Sequence, residues 1–153
     1  MDTQYINPVL KSIVNVMKTM VRQDVKRGEI VVKENTLAFG EVSAVINLEG
    51  EQGRGSISAS FPIDVLLNIA KIMLPPSIKV DNYMLKDLTG ELANMFAGGA
   101  QAIMESEGIK YQISLPSIVA GKPHHIRHQH DHRSVLIPFS SDVGTFFVEV
   151  SFD

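Results

Sequence analysis

Two stretches of this sequence, Ser43 to Phe61 (SAVINLEGEQGRGSISASF) and Ser134 to Phe152 (SVLIPFSSDVGTFFVEVSF), align without a gap at a shift of 91 residues. Ser43 falls on Ser134, Ile46 on Ile137, Gly53 on Gly144, and Ser60-Phe61 on Ser151-Phe152. Each reads as strand, turn, strand. In the first, Val42 to Leu48 is one β-run. In the next, Ile57, Ala59 and Phe61 alternate with serines, the period of two that marks a half-buried strand. The turn Glu49-Gly50-Glu51-Gln52-Gly53 joins them as a hairpin. In the second, Val135 to Phe139 and Thr145 to Phe152 turn through Ser140 to Gly144. Any two amphipathic hairpins look somewhat alike, but a gapless match of this length points to an internal repeat.

Working outward, a long helix precedes each hairpin. Asn7-Pro8 reads as the first helix start, a capping residue followed by a proline tolerated in the first turn. Leu10, Ile13, Val14, Met17, Met20 and Val21 then form an apolar face, and the basic residues from Arg22 to Arg27 suit the helix end. Gly28 opens a strand-rich stretch with a short run at Ile30-Val31-Val32. A second helix starts at Pro62 and is ended by Pro75-Pro76. A third runs from about Asn82 to Glu107 and stops at Gly108, followed by a strand at Tyr111 to Leu115. The first and third helices correspond at a shift of 79, with Asn15 against Asn94. The 12 extra residues of the second half fall between helix and hairpin, in a histidine-rich loop. This order predicts one domain over residues 1–153: a two-layer α/β fold, long helices on a mostly antiparallel sheet, with a pseudo-repeat of helix plus β-hairpin.

Composition narrows the functional classes. The chain is 153 residues long, 44% hydrophobic and 20% charged, an ordinary globular balance. Its net charge of −3 lacks the basic surplus of a general nucleic-acid binder. With no cysteine there is no disulfide framework, thiol nucleophile or cysteine-based zinc site. No apolar run is long enough to span a membrane, and the start has no secretory pattern, so a cytoplasmic location is expected.

The third helix carries two stripes. Leu85, Leu88, Leu92, Met95, Gly99 and Ile103 recur every three or four residues and predict the buried face. Beside them Asp87, Glu91, Asn94 and Gly98 share a second face. Two carboxylates, a carboxamide and a helix-weakening glycine are an odd choice for a merely solvated surface, although spacing alone also allows ordinary exposed polar residues. Glu91 can pair with a partner's cation, and Asn94 can both donate and accept hydrogen bonds to a small molecule such as water. Nothing on this face is a good nucleophile.

Asp87-x3-Glu91-x2-Asn94, followed by Pro116, resembles the signature of the CheC/CheX/FliY family of chemotaxis phosphatases. The proline stands one position nearer than in the family pattern. The resemblance extends to Ile6-Asn7-Pro8, to Gly90 to Gly99 (GELANMFAGG), to Leu115-Pro116-Ser117 and to the closing hairpin. At the 79-residue shift Asp87 falls on Pro8 and Glu91 on Ser12, so the first helix keeps only Asn15 of the motif. One intact copy resembles the CheX branch. The resemblance implies a substrate: the aspartyl phosphate of a CheY-like response-regulator receiver domain. It implies that Glu91 ion-pairs with the receiver's active-site lysine and that Asn94 holds the attacking water, both as catalytic residues. Asp87 and Gly98 join them at the partner-binding face, and Pro116 is structural. It implies no metal or cofactor of the chain's own, a divalent cation such as Mg²⁺ being supplied by the receiver. It also implies a homodimer joined edge to edge, with neither nucleic acid nor membrane as partner. A non-catalytic module on the same fold, docking a response regulator or a flagellar switch component, is the competing reading.

The five histidines, His124, His125, His128, His130 and His132, lie within nine residues. A solvated connection, an adventitious metal tract and a pH-responsive or metal-responsive loop are all open to them. Gly50-x2-Gly53-x-Gly55 lies inside a hairpin and lacks the Lys-Ser/Thr pair of a phosphate-binding loop. No G-x-S-x-G elbow occurs, and no Ser/His/Asp set is arranged along the chain for acyl transfer.

Overall fold

In a computed structural model, which describes residues 3–128 and 134–152, the two repeated stretches are hairpins of one sheet. The first is β3 (Val42–Gly50) and β4 (Gly53–Phe61); the second is β7 (Ser134–Ser141) and β8 (Gly144–Phe152). Both turns are tighter than the sequence suggested, with only Glu51-Gln52 and Asp142-Val143 between paired ends. Gly53 (φ 143°) and Gly144 (φ 116°) leave these turns in backbone conformations that a side chain disfavours.

β4 pairs antiparallel with β8, and Ser58 faces Glu149 across that ladder. The 91-residue shift also carries Ser58 onto Glu149, so a pseudo-twofold axis passes between them. The flanks obey it. β1 (Lys26–Arg27) and β2 (Val31–Lys33) bond to β7, while β5 (Gln112–Ile113) and β6 (Ser117–Ala120) bond to β3. Among the described residues this is an eight-stranded antiparallel sheet.

Three helices cover one face of it: α1 (Thr3–Met20), α2 (Ile63–Met73) and α3 (Asn82–Ser106). Alternate residues of the four long strands enter the core, where the Phe146 ring stacks with Phe61, Phe96 and Phe139 at 5.0, 5.9 and 5.5 Å. α1 lies close against α3. Buried Ser12 donates its hydroxyl to the Phe96 carbonyl at 2.7 Å, and a Cβ on Gly99 would stand 2.1 Å from Ser12 Oγ. Glycine at 99 therefore sets the distance between the helices.

Several details differ from the sequence reading. α1 begins at Thr3 and takes Pro8 inside it, because Ile6, Pro8 and Val9 are buried and Tyr5 stacks on Phe152 at 4.8 Å. That packing offsets the backbone hydrogen bond a proline forfeits. The helix ends at Met20, before the basic run, so Lys26-Arg27 sits in β1 instead. Val14 and Met20 face solvent, while Val9 and Val16 take the buried places. On α3 Leu85, Leu88 and Leu92 are buried as expected, but Met95, Gly99 and Ile103 are only half-buried, and Phe96, Ala100 and Met104 replace them. The reason is that α3 packs against both the sheet and α1, which turns the buried stripe. The strand at Tyr111 to Leu115 shrinks to β5, and β6 follows where a turn and loop were expected.

The opposite face of the sheet is covered by connections rather than helices. The stretch 34–40 and the histidine stretch 121–128 pair with each other, through Ala38 N–H to His124 O (3.0 Å) and Ile126 N–H to Thr36 O (2.7 Å). Phe39 packs on Phe147. Two histidines are thus not solvated. His124 meets Ser43 Oγ at 2.6 Å, and His128 reaches Ser56 and Glu149. Glu149 is sealed here, bonded to Lys33 Nζ at 2.7 Å and His128 Nε2 at 3.1 Å. Burial pushes its carboxyl pKa up, but the hydrogen bonds and charges of His128 and Lys33 outweigh that and hold it below the ordinary value. His130 and His132 lie outside the described residues.

A folded-state pKa below the unfolded one stabilises above the unfolded value and is lost as pH falls through the folded one. Urea unfolding should therefore weaken on the acid side of the usual carboxylate range, with a shallower decline in Glu149→Gln. Lys33→Met, which leaves a buried carboxylate short of its cation, should cost about 3 kcal/mol by the same measurement.

Candidate functional site

The outward side of α3 grows from its start. Asp81 caps the helix, accepting from Met84 N–H at 2.9 Å, and the register it sets places Asp87, Glu91 and Asn94 on the exposed surface. Gly98, one turn beyond, is half-buried. The four partner-face residues expected from sequence therefore do share one side of the helix. Among the described residues, no side-chain hydrogen bond or ion pair engages Asp87, Glu91 or Asn94.

Asn94 stands between two glycines, Gly90 one turn before it and Gly98 one turn after. With neither carrying a side chain, the carboxamide projects from bare helix, and Glu91 rises beside it. The glycines have different causes. A Cβ on Gly90 would come within 3.2 Å of Ile118 and 3.5 Å of Pro116, so it is needed for α3 to lie close to β6. Among the described residues a Cβ on Gly98 would meet nothing within 4 Å, so no contact there requires it.

Pro116 comes to the site from the β5–β6 connection. A groove of 390 Å³ runs beside the ridge, lined by Asp87, Gly90, Glu91 and Asn94 on α3 and by Pro116 and Ile118 across from it. Tyr83 and Lys86 complete the lining. Sequence reasoning missed Tyr83 and Ile118. Tyr83 lies one turn before Asp87, so the same four-residue spacing marks it; Ile118 depends on β6 and has no local signal. A larger cleft of 870 Å³, near the C-terminal end of α3 by the β3–β4 turn, carries none of the motif residues.

One alternative site can be set aside. Ser56, His128 and Glu149 form a serine–imidazole–carboxylate chain that the sequence did not disclose, but Ser56 is fully buried and no substrate reaches it. Among the described residues no group of three or more His, Asp or Glu is placed to hold a metal. Asn15, the remnant of the motif on α1, is exposed, while Ser12, at the position matching Glu91, is spent on the α1–α3 contact. Among the described residues no helix is long and apolar enough to cross a membrane.

This architecture, a dyad-related sheet with one intact motif helix, matches a defined class. Residues 42–140 fit the family described as chemotaxis phosphatase CheX. A CheC-like superfamily protein from Shewanella sp. PV-4 is 39% identical with a TM-score of 0.87, covering 100% of this chain and 99% of its own. The chemotaxis protein CheX from Desulfovibrio desulfuricans is 33% identical with a TM-score of 0.88, covering 98% of this chain and 99% of its own. The CheX of the CheX–CheY–BeF3–Mg²⁺ complex from Borrelia burgdorferi shares the fold at 22% identity and a TM-score of 0.77, with 97% of each chain covered. No curated protein matches significantly. The chain belongs to the CheX chemotaxis phosphatase family.

The two glycines of the adjacent pair should respond oppositely to alanine. Gly98→Ala should raise unfolding free energy by about 1 kcal/mol, the helix-propensity difference. Gly99→Ala should lower it by about 1–3 kcal/mol, since the new methyl collides with Ser12. Chemical denaturation of both variants checks this.

Proposed function

We propose that this protein hydrolyses the aspartyl phosphate of a CheY-type receiver domain, with Glu91 docking and Asn94 positioning the attacking water. The observation that carries the reading is the pair itself: a carboxylate and a carboxamide, one turn apart, exposed and unengaged among the described residues, on a bare stretch of helix in a CheX-family chain. In the Borrelia burgdorferi structure a CheX is assembled with CheY, BeF3 and Mg²⁺, which supports a receiver as partner.

An acyl phosphate is already reactive, so placement of water is the main contribution a second protein can make. Glu91 pairs with a lysine in the receiver's pocket and sets the helix orientation. Asn94 Oδ1 accepts a hydrogen bond from water and leaves an oxygen lone pair aimed at phosphorus. The water oxygen bonds to phosphorus as the bond to the aspartyl oxygen breaks. Inorganic phosphate leaves with the protons of the water, and the receiver keeps its carboxylate. The divalent cation that offsets phosphoryl charge belongs to the receiver. Asp87 borders the contact, and Gly98 leaves room for the receiver's surface to approach.

Two copies pair along a free sheet edge in this reading. The β2 edge, with Val31 and Val32 exposed, is one such edge. Sedimentation at twice 16.8 kDa would support pairing, and a monomer at working concentration would remove it.

The decisive measurement is decay of a CheY-type receiver phosphorylated by acetyl phosphate. Asn94→Ala should bind the receiver nearly as well as wild type yet lose about 100-fold or more of the acceleration. Glu91→Gln should weaken binding as well, by about tenfold, because one half of a charge pair is gone. Full acceleration by Asn94→Ala would sink the assignment.

A further inference from the structure

Charge is sorted along this chain. From Thr3 to Gly28 stand Lys11, Lys18, Arg22, Lys26 and Arg27 against Asp24 alone, a local net charge of +4 in a chain whose total is −3. α1 has no acidic residue in its 18 positions, so its lysines lack the carboxylate partner that helical spacing would provide. Among the described residues neither Lys11 nor Lys18 takes part in an ion pair or a side-chain hydrogen bond.

Three of these cations meet at one groove of 380 Å³ between α1 and β1. Lys11 and Lys18 stand on its helical wall with Val14 and Asn15 between them, all four exposed. The two lysines are seven residues apart, about 10 Å along the helix. Arg27 stands on the strand wall, brought there by its pairing with Phe139 of β7. Phe139 and half-buried Leu10 line the floor. The internal repeat shows that this is no shared property of the long helices. At the 79-residue shift Lys11 falls on Gly90, Lys18 on Ala97 and Asn15 on Asn94. The outward side of α3 carries Asp87 and Glu91 instead, so the two halves present opposite charge. They do so toward opposite ends of the sheet, β1 closing one end and β5 and β6 flanking β3 at the other.

We infer that the α1–β1 groove docks an acidic amphipathic segment of another protein, its carboxylates on Lys11, Lys18 and Arg27 and an apolar side chain against Val14 and Leu10. Charge complementarity selects this occupant. Cations surround an apolar floor, so the ligand must bring negative charge and a hydrophobic group together. Shape selects it too. A recessed floor receives a protruding helix or strand, whereas a flat anionic bilayer would rest on the lysines and leave Leu10 uncovered. An apolar centre with a charged rim is the usual anatomy of such a contact. The groove lies on a different helix from Asp87, Glu91 and Asn94, so the inference stands apart from the receiver-phosphatase reading and gives the chain a second contact.

The test uses the whole chain and a fluorescein-labelled peptide of about sixteen residues, with leucines at helical spacing and glutamates between them. An anisotropy titration should show saturable binding that weakens with added salt. Lys11→Glu, Lys18→Glu and Val14→Asp should each raise Kd by about tenfold. Lys71→Glu, at an exposed lysine of α2 outside the groove, should stay within about twofold. A peptide of the same composition with its leucines scattered around the helix should bind about tenfold more weakly. No saturable binding up to about 1 mM overturns the inference, and so does an unchanged Kd in both lysine variants. Phosphatidylserine vesicles that bind the wild type but not the lysine variants, with the peptide unbound, overturn it in favour of a membrane. A fall in the sedimentation coefficient of the free protein in Lys18→Glu, again with the peptide unbound, overturns it in favour of a second copy.

Discussion

The antiparallel ladder between β4 and β8 is the constraint from which the rest follows. Because Ser58 faces Glu149, its own repeat equivalent, the two halves are related by an axis through the middle of the sheet. That relation puts α1 and α3 on the same face, where each would otherwise expose an apolar stripe. They bury it against the sheet and each other, and Gly99 with Ser12 fixes how close they come. Of α3, only the side turned away from α1 and the strands remains for a partner. Asp87, Glu91 and Asn94 occupy it.

The symmetry is broken between the two long helices. On α1 the position matching Glu91 is a serine, buried and hydrogen-bonded to the Phe96 carbonyl. The same side of the repeat thus serves assembly in one copy and solvent in the other. α3 also outlasts α1: at the 79-residue shift its end at Ser106 matches Arg27, whereas α1 stops at Met20. The longer helix carries Asn94 between Gly90 and Gly98, two bare positions that make one side chain prominent.

The sheet treats carboxylates in opposite ways on its two sides. Glu149 on the loop-covered face is bound by Lys33 and His128 and shut from water, so its charge serves the fold. Glu91 on the helical side is exposed and has no such engagement among the described residues. The histidine stretch belongs to the first case. His124 and His128 tie a long connection down over serine-rich strands, where polar groups need partners once buried.

Much was legible from the residues. Period-two alternation in Ile57, Ala59 and Phe61, period-3.6 spacing in Leu85, Leu88 and Leu92, and glycines at the hairpin turns are local signals, and the helices and long strands obey them. The gapless repeat revealed the architecture, and the Asp87–Glu91–Asn94 spacing revealed which side of α3 to watch. Local pattern could not say that α1 would start before Pro8, because the packing of Tyr5 and Ile6 on distant strands decided it. Nor could it show β6, whose pairing partner lies about 75 residues away in β3 and which brings Pro116 and Ile118 against Gly90. The burial of His124, His128 and Glu149 was equally hidden, since each contact joins segments remote in the chain. The residues themselves determined which elements form and which polar side chains line up along one side of α3. The tertiary structure alone decided which of those side chains meet water and which meet one another, because burial is a property of what packs on top, not of the segment beneath.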